Sequence, residues 1–244
     1  MKEKPLKPRT RHKLIRTAVE LITARGVRQT SLGDIGKAAG IGPDLLYRHF
    51  PNEMSLLHAY YADRLKDVYN QLRAVAEGEG FTLQEHLQLL HESLLEALCG
   101  DRYFVRKTFN TVFVSLPFLP EPVEDARAVL LRLVAGCFQE AITAGDIPAP
   151  VFERWLQRLM ADYTVAVVNY WLRDDSDHYS DTSILLDKSL ALICACLAAG
   201  VTNKAVDLAS FLFKKHLYPY IGFPLKFVRG VSFLKGRLPG DGDG

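Results

Sequence analysis

The chain reads as an all-α protein, and three observations predict it. Apolar side chains fall at Leu14, Ala18, Leu21 and Ile22, a helical spacing. No Asn-Gly or Asp-Gly pair sits between alternating strand-like runs. Proline and glycine cut the remainder into segments of helix length. Residues 9–25 form the first predicted helix, and Gly26 stops it. Thr30 and Ser31 are cap-type residues, with Ser31 the better N-cap of a second helix that runs to about Ala39 and ends at Gly40. Pro43 suits a first helical position, so a third helix spans 43–49. Pro51 and Asn52 open a long helix over 53–76, and Glu77-Gly-Glu-Gly80 breaks the chain. Further helices are expected at 82–98, 102–115, 121–144, 149–172, 182–199 and 203–216, with prolines 117, 120, 122, 148 and 150 in the gaps. Residues 217–238 have no clear period, and the tip PGDGDG is expected to be disordered.

Composition narrows the class. The chain has 244 residues, enough for a full core and one or two domains. No apolar run reaches the roughly 18–20 residues of a membrane span. The start MKEKPLKPRTRHK lacks the apolar region of a secretory signal, so a soluble, cytoplasmic protein is expected. Four cysteines are too few for a disulfide scaffold. Cys194 and Cys196 would point about 200° apart on a helix, which argues against a metal pair.

Charge is unevenly distributed. Residues 1–50 hold eleven Lys/Arg against four Asp/Glu, a net of +7. Residues 51–213 carry a net of −9, and residues 214–237 carry +6 with no acid. A basic head on an acidic body implies that the head meets a polyanion. Three divisions follow: a head over 1–52 with a basic arm, a helical body over 53–216, and a basic, apolar extension over 217–244.

The head has the layout of a helix-turn-helix, with an expected core of Leu14, Ala18, Leu21, Leu32, Ile35, Ala38, Ile41, Leu46 and Phe50. In such a unit the second helix braces on the backbone and the start of the next helix meets base edges. The reading positions are then Gly42, Pro43, Asp44 and Leu45, followed by Tyr47, Arg48 and His49. Gly42 and Pro43 leave room for close backbone approach, Tyr47 can donate to a phosphate, and Arg48 can bind a phosphate or a guanine edge. Thr30, Ser31 and Lys37 are candidate phosphate contacts. Arg9 and Arg11, with Lys7 and Lys13, could act as an arm.

The runs ELITARGVRQTSL, DIGKAAGI and LYRHFPNE followed by SLL resemble the tetracycline-repressor-like (TetR/AcrR) transcriptional regulators across about residues 10–57. Gly26, Thr30, Ile35, Ala39-Gly40, Leu46-Tyr47 and Phe50 fall in register with that family. The resemblance implies an all-helical homodimer whose body binds a small molecule and whose heads read a pseudo-palindromic double-stranded operator. It implies a repressor, released by a small, largely apolar effector. The pattern departs at Glu53, where the family often has a phosphate-touching lysine, at Gly42, often a cap serine, and at Leu45, often a small residue or threonine. As an acid at a helix start, Glu53 favours the helix dipole.

By the same resemblance, part of the aromatic body should line a pocket. The segment RYFVRKTFNTVFVSL offers Phe104, Lys107, Phe109, Asn110 and Phe113, with His58, Tyr61, His91 and Tyr163 as further candidates. Dimerisation is expected through 149–172 and 182–199, where Ala191, Ala195, Ala198 and Ala199 allow close approach. Residues 211–237 are expected to pack on protein, with an anionic lipid or acyl surface as the sharper alternative. A rival reading keeps the fold as an interaction or lipid-binding module without DNA binding, prompted by Glu53 and the basic tail. No nucleophile motif, metal spacing or phosphate loop occurs, so neither an enzyme nor a cofactor is expected.

Overall fold

The computed structural model describes residues 8–76, 80–114 and 125–212. Among them are ten α-helices and no strand: α1 (Pro8–Arg25), α2 (Leu32–Ala39), α3 (Pro43–His49), α4 (Glu53–Ala76), α5 (Leu83–Cys99), α6 (Arg102–Phe113), α7 (Ala126–Ala144), α8 (Glu153–Trp171), α9 (Ser180–Ala198) and α10 (Val201–Leu212). The all-α expectation holds. Helix α8 starts four residues later than the spacing suggests: Pro148 and Pro150 disfavour helix in the residues before them, and a turn at 151–152 with non-helical Phe152 precedes the first helical residue, Glu153. Residues 115–124 and 213–244, including the extension and its lipid alternative, lie outside the described residues.

The chain divides into two compact units, one ending at Ala199 and one beginning at Gly200. In the first, α1, α2 and α3 form the head, and α4 runs from the head into a body built with α5 to α9. In the second, α10 follows Gly200, whose φ of 63° is the left-handed conformation glycine tolerates.

Local chemistry sets the head's corners. The Ser31 hydroxyl accepts from the Asp34 backbone N–H and donates to the Asp34 carboxylate, which accepts from the Ser31 N–H in return. This closed box starts α2, and such caps contribute about 1 kcal/mol. Those hydrogen bonds also lower the Asp34 pKa. Gly40, at φ 67°, ends α2 in the left-handed conformation. Leu14, Ala18, Leu32, Ile35, Leu46 and Phe50 are buried as expected. Ala38 is exposed and its neighbour Ala39 is buried instead, a one-residue error in helical phase.

A buried carboxylate ties α8 to α9. Asp174 accepts from the backbone N–H and hydroxyl of both Ser176 and Thr182, and these bonds hold its pKa well below the usual range. Arg102, at the start of α6, donates to the carbonyls of Trp171 and Asp174. The Arg102 guanidinium lies 5.3 and 4.8 Å from the Trp171 and Tyr179 rings. The connector therefore has one defined path, although His178 and Tyr179 adopt positive φ there.

Candidate nucleic-acid interface and effector cavity

At the DNA-facing end, Gly42, Pro43, Asp44, Leu45, Tyr47 and Arg48 are all exposed, and Leu46 between them is buried. The helix thus anchors through one leucine and presents the rest. His49 is half-buried, while Arg9 and Lys37 are exposed. A point over Gly33 lies 3.7 Å from the Ser31 hydroxyl and 3.9 Å from the Tyr47 hydroxyl, so both groups share one face.

Two expected contacts are corrected. Thr30 is buried and its hydroxyl donates to the Gly26 carbonyl at 2.9 Å, so it serves the turn and not a phosphate. Arg11 is not a loose arm residue. Its guanidinium donates to Asp63 of α4 at 2.9 Å and to the Ala59 carbonyl, and lies 5.9 Å from the Phe50 ring. Ser31 is exposed, but its hydroxyl is engaged in the capping box.

Glu53 has a role that local sequence did not reveal. Its carboxylate accepts from the Leu32 N–H, the first turn of α2, at 2.9 Å. One acid therefore sits at the positive ends of both α2 and α4. The departure from the family's lysine has a structural reason of its own and does not by itself signal lost DNA binding.

Within the body, helices α4 to α8 enclose an apolar cavity. Tyr61, Arg64 and Leu65 of α4, Leu94 and Leu98 of α5, and Phe109 and Phe113 of α6 form one part of the wall. Leu130 of α7 and Thr164, Val165 and Val168 of α8 close it. Its free volume is about 10 Å³, room for roughly one water. Phe109 and Phe113 stack at 4.5 Å, and Tyr61 meets their edges at 5.7 and 5.2 Å. Thr108 donates to the Phe104 carbonyl, so the Tyr61 hydroxyl donates to Thr108 at 2.6 Å. Burial raises the Tyr61 pKa, which keeps it a neutral donor.

Of the nine ligand candidates, Tyr61, Phe109 and Phe113 reach this wall and six do not. Phe104 packs on Tyr60 at 4.8 Å. Lys107 turns to the head, donating to the Thr23 carbonyl in the last turn of α1 and lying 4.3 Å from the Tyr103 ring. Asn110 is exposed on the far side of α6. Tyr163 shares a 2.6 Å hydrogen bond with Ser189 of α9. His58 accepts from the Ala126 N–H at the start of α7, with Asp125 at 3.7 Å, and desolvation lowers its pKa. Arg64 and Thr164 were missed. Arg64 lies three residues after Tyr61, on the same helical face, which is the signal that could have found it.

His91, behind Thr164, is fully buried. Its Nδ1 donates to the Leu87 carbonyl at 2.6 Å and its Nε2 faces the Thr164 hydroxyl at 3.1 Å. Burial pushes its pKa down from 6.5 to about 4. The unfolded chain therefore binds the extra proton first as pH falls between those values, and stability drops through that window. At pH 5 the loss is about 2 kcal/mol relative to neutral pH. Thermal melts at pH 7.5 and 5 should differ less for His91→Leu than for the native chain, and an equal difference would remove His91 as the cause. The thiols of Cys137 and Cys194 are pushed up to about 12 and about 11 by burial, which leaves them unreactive. Among the described residues no group of His, Cys, Asp and Glu is arranged to hold a metal.

A helix-turn-helix head, joined by one long helix to a helical body around an apolar cavity, defines a ligand-responsive DNA-binding regulator. Residues 14–60 match the family described as "Bacterial regulatory proteins, tetR family", and residues 86–212 match "Tetracyclin repressor-like, C-terminal domain". The chain belongs to the TetR family of bacterial transcriptional regulators. It is 32% identical over 199 residues to the transcriptional regulator TtgR of Pseudomonas putida, covering 75% of this chain and 91% of that one. It is 23% identical over 191 residues to the fatty acid metabolism regulator protein of Bacillus subtilis, covering 78% and 95%. The fold is shared with the FadR repressor of Thermus thermophilus in complex with lauroyl-CoA, at a TM-score of 0.57, 23% identity and coverage of 75% and 92%. It is shared also with FadR of B. subtilis in complex with stearoyl-CoA, at 0.56, 20% identity and coverage of 78% and 98%. These relatives are regulators and not enzymes, and no described helix is long and apolar enough to cross a membrane.

Proposed function

We propose that the chain is a homodimeric cytoplasmic repressor that leaves its operator when a long-chain acyl compound enters the cavity, with acyl-CoA thioesters the first candidates. The observation that carries this reading is the wall itself: almost all carbon, and built in part from α4 and α6, the two helices that hold α1. Relatives described with lauroyl-CoA and stearoyl-CoA support the choice of ligand.

The route from cavity to head follows from the contacts. The cavity is nearly closed, so an acyl chain must displace wall residues, among them Phe109 and Phe113 of α6. The same helix holds the end of α1 through Lys107 and Thr23. Helix α4 supplies Tyr61 and Arg64 to the wall and holds Arg11 of α1 through Asp63. Displacing either wall helix moves α1, and the shift is limited by the ligand's differential affinity for the two states.

Dimerisation through α8 and α9 is supported by apolar side chains left uncovered on them. Trp155, Leu159 and Tyr170 on α8, and Ile184 and Leu192 on α9, are 44–66% exposed. Ala195, Ala198 and Ala199 are also exposed, which suits close helix approach. A two-fold dimer would set the heads on half-sites about 34–36 Å apart.

Fluorescence anisotropy with DNA from upstream of the chain's own gene tests the reading. Tight binding at moderate salt and release by micromolar lauroyl-CoA or stearoyl-CoA, with free CoA inert, is expected. No binding at micromolar protein would sink the operator role, and binding indifferent to thioester would sink the acyl effector. In the same assay Arg48→Ala should weaken binding by about 1–3 kcal/mol if it reads a base. Glu53→Gln keeps the acceptor for Leu32 but removes a charge beside the docking face. A several-fold tighter complex at low salt, with the gain fading at high salt, is the expected outcome; a salt-independent change would mean that Glu53 acts only through folding.

A further inference from the structure

We infer that Arg64 receives the polar end of the effector, its Nε–H donating to the oxygen of an acyl carbonyl or carboxylate whose chain fills the cavity. This rests on the acyl reading above and deepens it. Every lining residue is buried except Arg64 and Val165, which are half-buried. Arg64 of α4 and Val165 of α8 are thus the lining residues that also reach solvent, and the inferred entrance lies beside them. Its Nε is buried and has no hydrogen-bond acceptor among the described residues. The outer part of the guanidinium is held, with an amino nitrogen 3.6 Å from Asp67 and the group 5.8 Å from the Tyr60 ring.

The other polar groups of the wall are already committed. The Tyr61 hydroxyl donates to Thr108. The Thr164 hydroxyl lies between the Met160 carbonyl and His91 Nε2. A ligand oxygen at the opening thus meets one charged N–H without an acceptor, and a buried donor left unmade is costly. Supplying that acceptor is a gain no hydrocarbon can match. Arg64 selects an oxygen acceptor and the wall behind it selects length, so together they select an acyl compound over an alkane. The thioester carbonyl and the free carboxylate share this chemistry.

The test uses the full chain, titrated with lauroyl-CoA, with laurate, and with pyrene, which fits an apolar wall but offers no oxygen. Arg64→Met keeps the apolar stem and removes the donors. It should bind the preferred acyl ligand at least tenfold more weakly, with pyrene affinity changed less than threefold. The pyrene arm reports that the cavity is folded. Arg64→Lys retains the charge without the buried Nε–H and should remain at least tenfold weaker. Unchanged acyl binding by Arg64→Met overturns the assignment, as does full recovery by Arg64→Lys, which would reduce the effect to diffuse charge. A native chain that binds pyrene but neither laurate nor lauroyl-CoA overturns the acyl reading itself, and the role of Arg64 with it.

Discussion

Gly36→Ala is expected to weaken operator binding at least tenfold while lowering the melting temperature of the whole chain by only a few degrees. A Cβ at Gly36 would lie 2.6 Å from Leu46 Cδ2 and 3.3 Å from the Ile41 carbonyl oxygen. Neither neighbour has room to yield. Leu46 is 1% exposed, and Ile41 is fixed by its own N–H donating to the Gly36 carbonyl at 2.8 Å. Overpacking of this kind costs about 1–3 kcal/mol, and the better helix propensity of alanine offsets about 1 kcal/mol of it. The remainder is relieved by moving α3 away from α2, and that displaces the reading side chains. Gly33→Ala is the control, since its Cβ would meet only ordinary contacts at 3.7 and 3.9 Å. Anisotropy with operator DNA and a circular dichroism melt of both variants decide the matter. Equal operator affinity for both would show that the α2–α3 crossing does not depend on this glycine.

Phe113→Ala should be the most destabilising change in the body and the one most rescued by ligand. Phe113 is 3% exposed and touches Phe109 and Tyr61. Removing a buried phenyl ring costs about 3–5 kcal/mol, which for a chain of this size lowers the melting temperature by roughly 10 °C. The space created adjoins the cavity, so an acyl chain can enter with less displacement of the wall. Saturating lauroyl-CoA, at about one hundred times its Kd, would return about 2.7 kcal/mol. The variant should also release operator less efficiently, because a ligand that moves α6 less has less leverage on α1. Thermal melts with and without thioester, paired with operator release, test both statements. A variant that melts as the native chain does, or releases operator as readily, would remove Phe113 from the coupling path.

Much of the head was legible in sequence because its information is local. Ser31, Gly40 and Pro43 act within a few residues of themselves, and spacing alone places them. What stayed hidden depends on partners far along the chain. Glu53 meets Leu32 across 21 residues, and Arg11 meets Asp63 across 52. Neither pairing leaves a trace in helical period. Thr30 looked like a surface cap residue, yet its hydroxyl turns back to Gly26 and its place is inside.

Helix α6 was divisible in principle. Phe109 and Phe113 are four residues apart and share a face, while Lys107 and Asn110 project elsewhere on the wheel. Reading the segment by its chemistry alone merged the cavity face with the head-facing and solvent faces. Arg64 failed as a candidate for the opposite reason. Among the several charges of α4 an arginine looks like solvated charge, and its place three residues after Tyr61 was the one cue to the cavity face.

The near-absence of space in the resting cavity has a consequence for what the protein can measure. Opening it subtracts a fixed amount from the affinity of every apolar guest, whereas each methylene placed inside returns about 0.8 kcal/mol. Affinity against chain length is then a line with an offset. Guests too short to repay the offset go unnoticed, and beyond that length each added carbon raises affinity about fourfold. A closed cavity works as a ruler with its zero set part-way along the scale, and with the proposed acyl effectors the shorter chains would be silent background.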